Sequence, residues 1–335
     1  MFDKRFRTKC LILFVLLFCI GCSFFRARET VITVPVRLAD DAIIKQNPGF
    51  FANLNWSFNK TATMIFLSET QSGIYQIDMR NLDIQPLKIN GQNLQGFFPI
   101  LSPDGRYLAY QRSSDPQNNA NLLNLSTGNE IALSGGDGFL AWSPDGKRVA
   151  SLSVAGKFVA KVFEAHTGTL INRMEYDLGK TDFGNFSRVS WSPHDDRLIF
   201  TLERNPVSSD IQLFDVYVLD LQTGQLDRLT NDKEWSFEAP SWSPDGDIVA
   251  LASINVVDRS VSETRLAFMN VETRCYKILP KIRTYDSEKV HGVEMPGWSP
   301  DGKQIAFLTS TSHLAVIDLN VIPEEYRDPK QLCKK

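Results

Sequence analysis

The sequence predicts an all-β fold: a six-bladed β-propeller with four-stranded blades, its ring closed by an N-terminal strand. Three observations carry this expectation. One stretch recurs in six near-copies, the best being Trp298-Ser299-Pro300-Asp301-Gly302-Lys303-Gln304-Ile305-Ala306-Phe307; the others begin at Trp56, Leu101, Trp142, Trp191 and Trp242, 41 to 56 residues apart. A repeat of that period marks a solenoid, a propeller or an array. The stretch also has the content of a tight hairpin. Pro presets φ at the second turn position, Asp suits the third and Gly accepts positive φ at the fourth, with apolar residues on either side. Finally, each unit holds a second apolar run closed by its own turn, as in Val216 to Thr230 around Thr223-Gly224. Apolar residues do not recur at helical spacing, so each unit reads as four short strands, which is one blade.

In chain order, Lys4, Arg5, Arg7 and Lys9 precede an unbroken apolar run, Leu11 to Ile20. A charged start and a short apolar core form the layout of a secretory signal. Even counted to Phe25 the segment is shorter than the roughly 20 residues a spanning helix needs. Cys19-Ile20-Gly21-Cys22 resembles a bacterial lipobox, with Cys19 where Leu is usual. That resemblance implies a lipoprotein signal over 1–21, a lipidated Cys22 as mature N-terminus and a tether over 22–30. The expected product is an exported, membrane-anchored lipoprotein of the outer membrane, periplasm or cell surface.

Thr30 to Asp41 alternates like a strand, and its end, Arg37 to Asp41, parallels Arg228 to Asp232, the close of a blade's last strand. The last unit, from Trp298, supplies only three strands, so Val31 to Leu38 is expected to complete it and remove an open edge. A linker that happens to alternate is the other reading. The propeller thus spans 31–321, with a polar C-terminal tail over 322–335. The first unit is degenerate: Trp56-Ser57-Phe58-Asn59-Lys60 has lost the Pro, Asp and Gly. The second has Leu101 for Trp, and the fourth has Asp195 in the Gly position. The recurring Trp is expected between blades, where a large aromatic buries much apolar surface.

Charged residues make up 22% of the chain and the formal net charge is -3, so no basic field recommends nucleic acid as partner. Of five Cys, two lie in the leader and Cys22 is the expected lipid site; Cys275 and Cys333 remain and can pair in an exported chain. No nucleophile elbow, His-Glu-x-x-His, Cys-x-x-Cys or phosphate loop occurs. The four His follow no metal-ligand spacing, so no catalytic residue, metal or cofactor is expected. The repeated Asp (Asp104, Asp145, Asp245, Asp301) is accounted for by its turn role.

Trp-Ser-Pro-Asp-Gly-x-x-Ile-Ala-Phe, followed by Ile/Val-Tyr-x-x-Asp-x-x-Thr-Gly, resembles the propeller repeat of the TolB type, a WD40-like repeat found also in prolyl oligopeptidase relatives. The resemblance covers about Phe51 to Val321 and implies the fold. The α/β domain that precedes the propeller in TolB proteins has no room between Cys22 and the first unit, and no α/β-hydrolase domain accompanies it. A cell-envelope binding or scaffold module without chemistry is therefore expected, its partner an envelope protein or peptide. The alternative is a lyase or hydrolase with its site at the mouth of the central channel. Loops on a rigid scaffold carry function. The long connections hold Phe183, Phe186, Trp235, Phe237, Glu238, Tyr285, His291 and Glu294, and these are the expected partner-binding residues.

Overall fold

The structure, a computed structural model, describes residues 31–33, 36–39, 63–67, 73–78, 83–112, 119–154, 156–178, 186–203, 213–257, 260–283, 292–309 and 314–333. Among them are five four-stranded antiparallel sheets, and each takes one recurring stretch for its first hairpin. The first strands are Phe97–Leu101, Phe139–Trp142, Phe186–Trp191, Trp235–Trp242 and Glu294–Trp298. We name each blade by the residue that ends its first strand. These first strands touch one another from blade to blade, so they are the inner strands around a common axis. That is propeller geometry.

Where six four-stranded blades are expected, the described residues hold five. The first unit appears as a three-stranded sheet of Thr63–Leu67, Ile74–Asp78 and Asp83–Pro86. Its Trp56 stretch, the copy that lost the turn residues, lies outside the described residues, as do the leader, Cys22 and the tether. The expected strand over Val31 to Leu38 is two strands. Val36–Ala39 runs antiparallel to Leu314–Asp318 as the fourth strand of the Trp298 blade, whereas Val31–Thr33 pairs in parallel with Lys281–Arg283. Pro35 stands between them, and a proline has no N–H to give to a ladder.

The hairpin turns repeat one hydrogen-bond module. In Ser143-Pro144-Asp145-Gly146, the Ser143 hydroxyl donates to Asp145 Oδ1 at 2.6 Å and accepts from the Arg148 N–H at 2.9 Å. Gly146, at φ 68°, donates its N–H to the Ser143 carbonyl. The same set recurs at Ser102, Ser243 and Ser299 with Asp104, Asp245 and Asp301. Hydrogen bonds from Ser hold the Asp145 and Asp301 carboxyls below the usual range, so these acids are spent on the turn.

The tryptophans sit between blades, as their size suggests. The Trp142 indole N–H donates to the Ile100 carbonyl of the preceding blade at 3.1 Å, and that of Trp298 to Ser241 at 3.0 Å. The residue six positions after the end of each inner strand covers the next blade's indole. Tyr107 packs near Trp142, Arg148 lies 4.9 Å from the Trp191 ring centre and Arg197 lies 5.6 Å from that of Trp242. Ile248 shares one buried cluster with Trp298.

The C-terminal segment is no loose polar tail. A 3-10 turn (Leu319–Val321) and a one-turn helix (Glu324–Arg327) fold it back onto the Trp242 blade. Ile322 and Leu332 are buried there beside Phe268 and Leu279, and Cys333 is bonded to Cys275 in that blade's last turn. Three apolar positions among many polar ones carry the docking, which hides them from a composition-based reading.

Candidate functional site

The inner strands do not run straight. In four of the five blades the ladder with the second strand shifts register three to four residues before the strand ends, at Phe97/Ile100, Ser187/Ser190, Glu238/Ser241 and Glu294/Gly297. Three of these bulges hold a non-glycine residue at positive φ: Phe98 at 50°, Ala239 at 49° and Met295 at 51°. Bulges re-aim side chains, and positive φ outside glycine is a strain that packing must hold. A proline follows each of the three, at Pro99, Pro240 and Pro296. The Trp142 blade has Gly138 instead, at φ 78°, where an added Cβ would stand 2.0 Å from the Leu152 carbonyl oxygen.

The position four residues before the strand's end is therefore structurally equivalent around the ring. It is Phe97, Gly138, Ser187, Glu238 and Glu294 in turn. Two carboxylates occupy it in successive blades. Glu238 is half-buried, and desolvation of its carboxyl together with the neighbouring Glu294 charge pushes it up to about 7. Glu294 is exposed as a residue, and partial desolvation of its carboxyl raises it too. Two like charges in a partly desolvated recess resist ionising together. Such a recess suits a cation that would let both ionise, and equally a proton passed between them.

One position later in the Trp191 blade is Arg188, whose side chain is buried. It reaches past the Trp242 blade, and its Nη1 donates to the Pro296 carbonyl of the Trp298 blade at 2.9 Å. Burial pulls its guanidinium down to about 10, so it remains charged at neutral pH.

The expected binding residues are thus redistributed. Glu238 and Glu294 come together, but on inner strands and not on loops. Trp235 begins the same inner strand as Glu238 and is half-buried, with Arg265 5.8 Å from its ring centre. Phe237 is no binding residue: it is fully buried, edge-on to Tyr276 at 4.8 Å, in the core between sheets. The inner strand starts at Trp235, so Phe237, expected in a long connection, lies within it, and alternation along the strand turns Phe237 inward. Phe186 lies in the strand that ends at Trp191. Phe183, Tyr285 and His291 lie outside the described residues. Among the described residues no three His, Cys, Asp or Glu side chains converge to hold a metal. Arg188 was missed, although a charge three residues before Trp191, where other units have Phe98, Phe139, Ala239 and Met295, is a visible departure. The twice-repeated Glu-x-Pro-x-Trp was likewise a signal for the carboxylate pair.

No family model matches the chain, and no curated protein matches it by sequence. Solved structures do. TolB from Acinetobacter baumannii superposes with a TM-score of 0.52 at 18% identity, over 76% of this chain and 63% of that one, so the chain spans under two thirds of that protein. A chain described as TolB from Agrobacterium tumefaciens gives 0.54 at 16% identity, over 86% of this chain and 98% of that one. An oligogalacturonate lyase in complex with manganese gives 0.51 at 14%, over 87% and 98%. At these identities the likeness speaks for the fold: the chain is an all-β propeller of four-stranded blades, of the kind seen in TolB-type structures.

Proposed function

We propose that the chain is a non-catalytic binding module that takes a protein or peptide partner at the channel end where Glu238 and Glu294 face one another. The carboxylate pair carries this reading. A lysine, arginine or amino terminus of a partner entering the recess would relieve the repulsion between two partly desolvated acids. Half-buried Trp235 supplies an aromatic contact beside them. Phe183, Phe186, Tyr285 and His291 are further proposed partner-binding residues. The test is in-cell crosslinking of the intact protein, with identification of what is captured. Glu238→Gln with Glu294→Gln is expected to weaken capture at least tenfold without lowering the melting temperature, and Trp235→Ala about thirtyfold. Undiminished capture by the double variant rejects the recess as the site.

The architecture proposed around this site has six blades, with the first unit as the sixth, closed into a ring by the strand over residues 36–39. The count of repeats and the pairing of Val36–Ala39 with Leu314–Asp318 support it. Domain limits follow: leader 1–21, tether 22–30, propeller 31–321 and a docked C-terminal segment. Cys22 is proposed as the lipidated N-terminus that holds the protein at the envelope. Mass spectrometry of the mature protein decides this, since a free amine beyond Cys22 would exclude it.

One observation favours a second reading. A carboxyl that titrates near 7 beside another carboxyl is suited to general acid–base work. A lyase is then the reaction class to try, given the fold shared with oligogalacturonate lyase. Ultraviolet absorbance of unsaturated products from oligogalacturonate, lost in Glu238→Gln, would move the assignment to an enzyme.

A further inference from the structure

The hairpin end of the inner strands holds a cavity of about 170 Å³, which opens on the axis. Trp142, Trp191, Trp242 and Trp298 line it together with the turn prolines of five repeats, and Arg188 lines it too. The tryptophans are nearly buried between blades, so the cavity sees ring edges and faces held rigidly from behind. Its size can be judged against a known standard: a dry engineered cavity of about 150 Å³ takes up benzene. One phenyl-sized body therefore fits here.

The lining is otherwise apolar or neutral, since the remaining side chains are Ile, Leu, Ala, Val and Ser. Arg188 supplies the one ionic group in it. Its side chain is fixed by the bond from Nη1 to Pro296, so the charge is positioned before any ligand arrives. A carboxylate placed beside a buried guanidinium makes charge-assisted hydrogen bonds, stronger than neutral ones and strengthened by low dielectric. We propose that this cavity binds a small carboxylate with a phenyl-sized apolar body, its ring among the tryptophans and prolines and its carboxylate at Arg188. The tryptophans and turn prolines of this cavity lie toward the hairpin ends of the inner strands, away from Glu238 and Glu294, while Arg188 reaches in from one position beyond the level of those carboxylates. Nothing in the cavity depends on the proposed partner.

The test uses the full chain and two probes of matched shape, 3-phenylpropionate and 3-phenylpropanamide. Binding is followed by calorimetry and by tryptophan fluorescence, since four of the six tryptophans line the cavity. The carboxylate should saturate with a fluorescence change and bind at least about tenfold more tightly than the amide. Arg188→Gln, which keeps a donor for Pro296, should reduce the carboxylate to the amide's affinity and leave the amide unchanged. Equal affinity of the two probes for the unaltered protein overturns the proposal without any variant, and so does an absence of saturable carboxylate binding at millimolar concentration. Undiminished carboxylate binding by a folded Arg188→Gln protein overturns it as well.

Discussion

The seams between blades are built in two ways, although the repeats that form them are near-copies. Between the Leu101 and Trp142 blades, and between the Trp242 and Trp298 blades, the residue covering the indole is Tyr107 or Ile248, and the indole N–H reaches a carbonyl of the preceding blade. In the two seams between these, the cover is Arg148 or Arg197. There the buried indole N–H of Trp191 or Trp242 finds no acceptor. Each arginine is tied instead by ions across the seam. Arg148 holds Asp196 with bonds of 3.1 and 2.6 Å, and Arg197 holds Glu272 at 2.6 Å. A cation over the ring and an ion pair on its rim offset the indole hydrogen bond that is not made. One repeat position, changed from apolar to Arg, thus converts a hydrogen-bonded seam into an ionic one.

Four outcomes would break or sharpen this contrast. The largest is expected at Trp298→Ala, which empties an apolar seam. Burial at this level puts the loss at about 3–5 kcal/mol in urea unfolding. A loss under about 1 kcal/mol would mean the seam is not closed around the indole.

The next effect depends on pH, because the Trp242–Trp298 seam that is apolar at its hairpin end carries Glu238 and Glu294 at its other end. Glu238 has a raised folded value of about 7, against roughly 4.3 in an unfolded chain. A raised value favours the protonated form on folding, so its contribution is fully present below about pH 4 and is lost as pH rises through 7. Glu238→Gln should therefore leave stability unchanged at pH 4 and raise it above pH 7 by on the order of 3 kcal/mol. Identical stability curves for both proteins from pH 4 to 8 would show that Glu238 is well solvated.

A smaller change separates the two kinds of seam directly. Trp298→Phe keeps a ring but strands the Ser241 carbonyl, at about 1–3 kcal/mol. Trp191→Phe removes an N–H that had no partner, so it should cost less, chiefly the cation–ring contact of about 0.5–1 kcal/mol. Equal losses would erase the distinction. The smallest effect is Arg148→Met, near 1 kcal/mol or below and diminished by salt. The Arg148 hydrogen bond holds the Asp196 carboxyl below its usual range. The stability from that pair is accordingly present above about pH 4 and lost as pH falls further. Arg148→Met should remove this acid dependence.

Much of the fold was legible in the sequence because turn chemistry is local. Ser, Pro, Asp and Gly each act within five residues, so four identical turns could be read from composition and spacing alone. The seams were less legible. That Tyr107, Arg148, Arg197 and Ile248 share a role depends on which blade each one faces, and a single repeat cannot show it. The candidate site was half visible. Glu238 and Glu294 were picked out, but as loop residues, since the bulges that aim them arise from backbone strain at Ala239 and Met295. Phe237 is expected in a connection but turns inward because the inner strand already runs from Trp235. Arg188 was overlooked because its partner, the Pro296 carbonyl, lies 108 residues away in sequence.

The Trp298 blade, stitched from residues 294–318 and 36–39, also sets a timetable. Its outer strand is synthesised some 275 residues before its partner, and until then its backbone edge has nothing to pair with. Contacts of such separation are slow to form. A chain interrupted anywhere between 39 and 314 would keep that edge open and remain a target for proteases and for other chains. The pairing therefore serves as proof of length: only a protein translated through Asp318 can hide it.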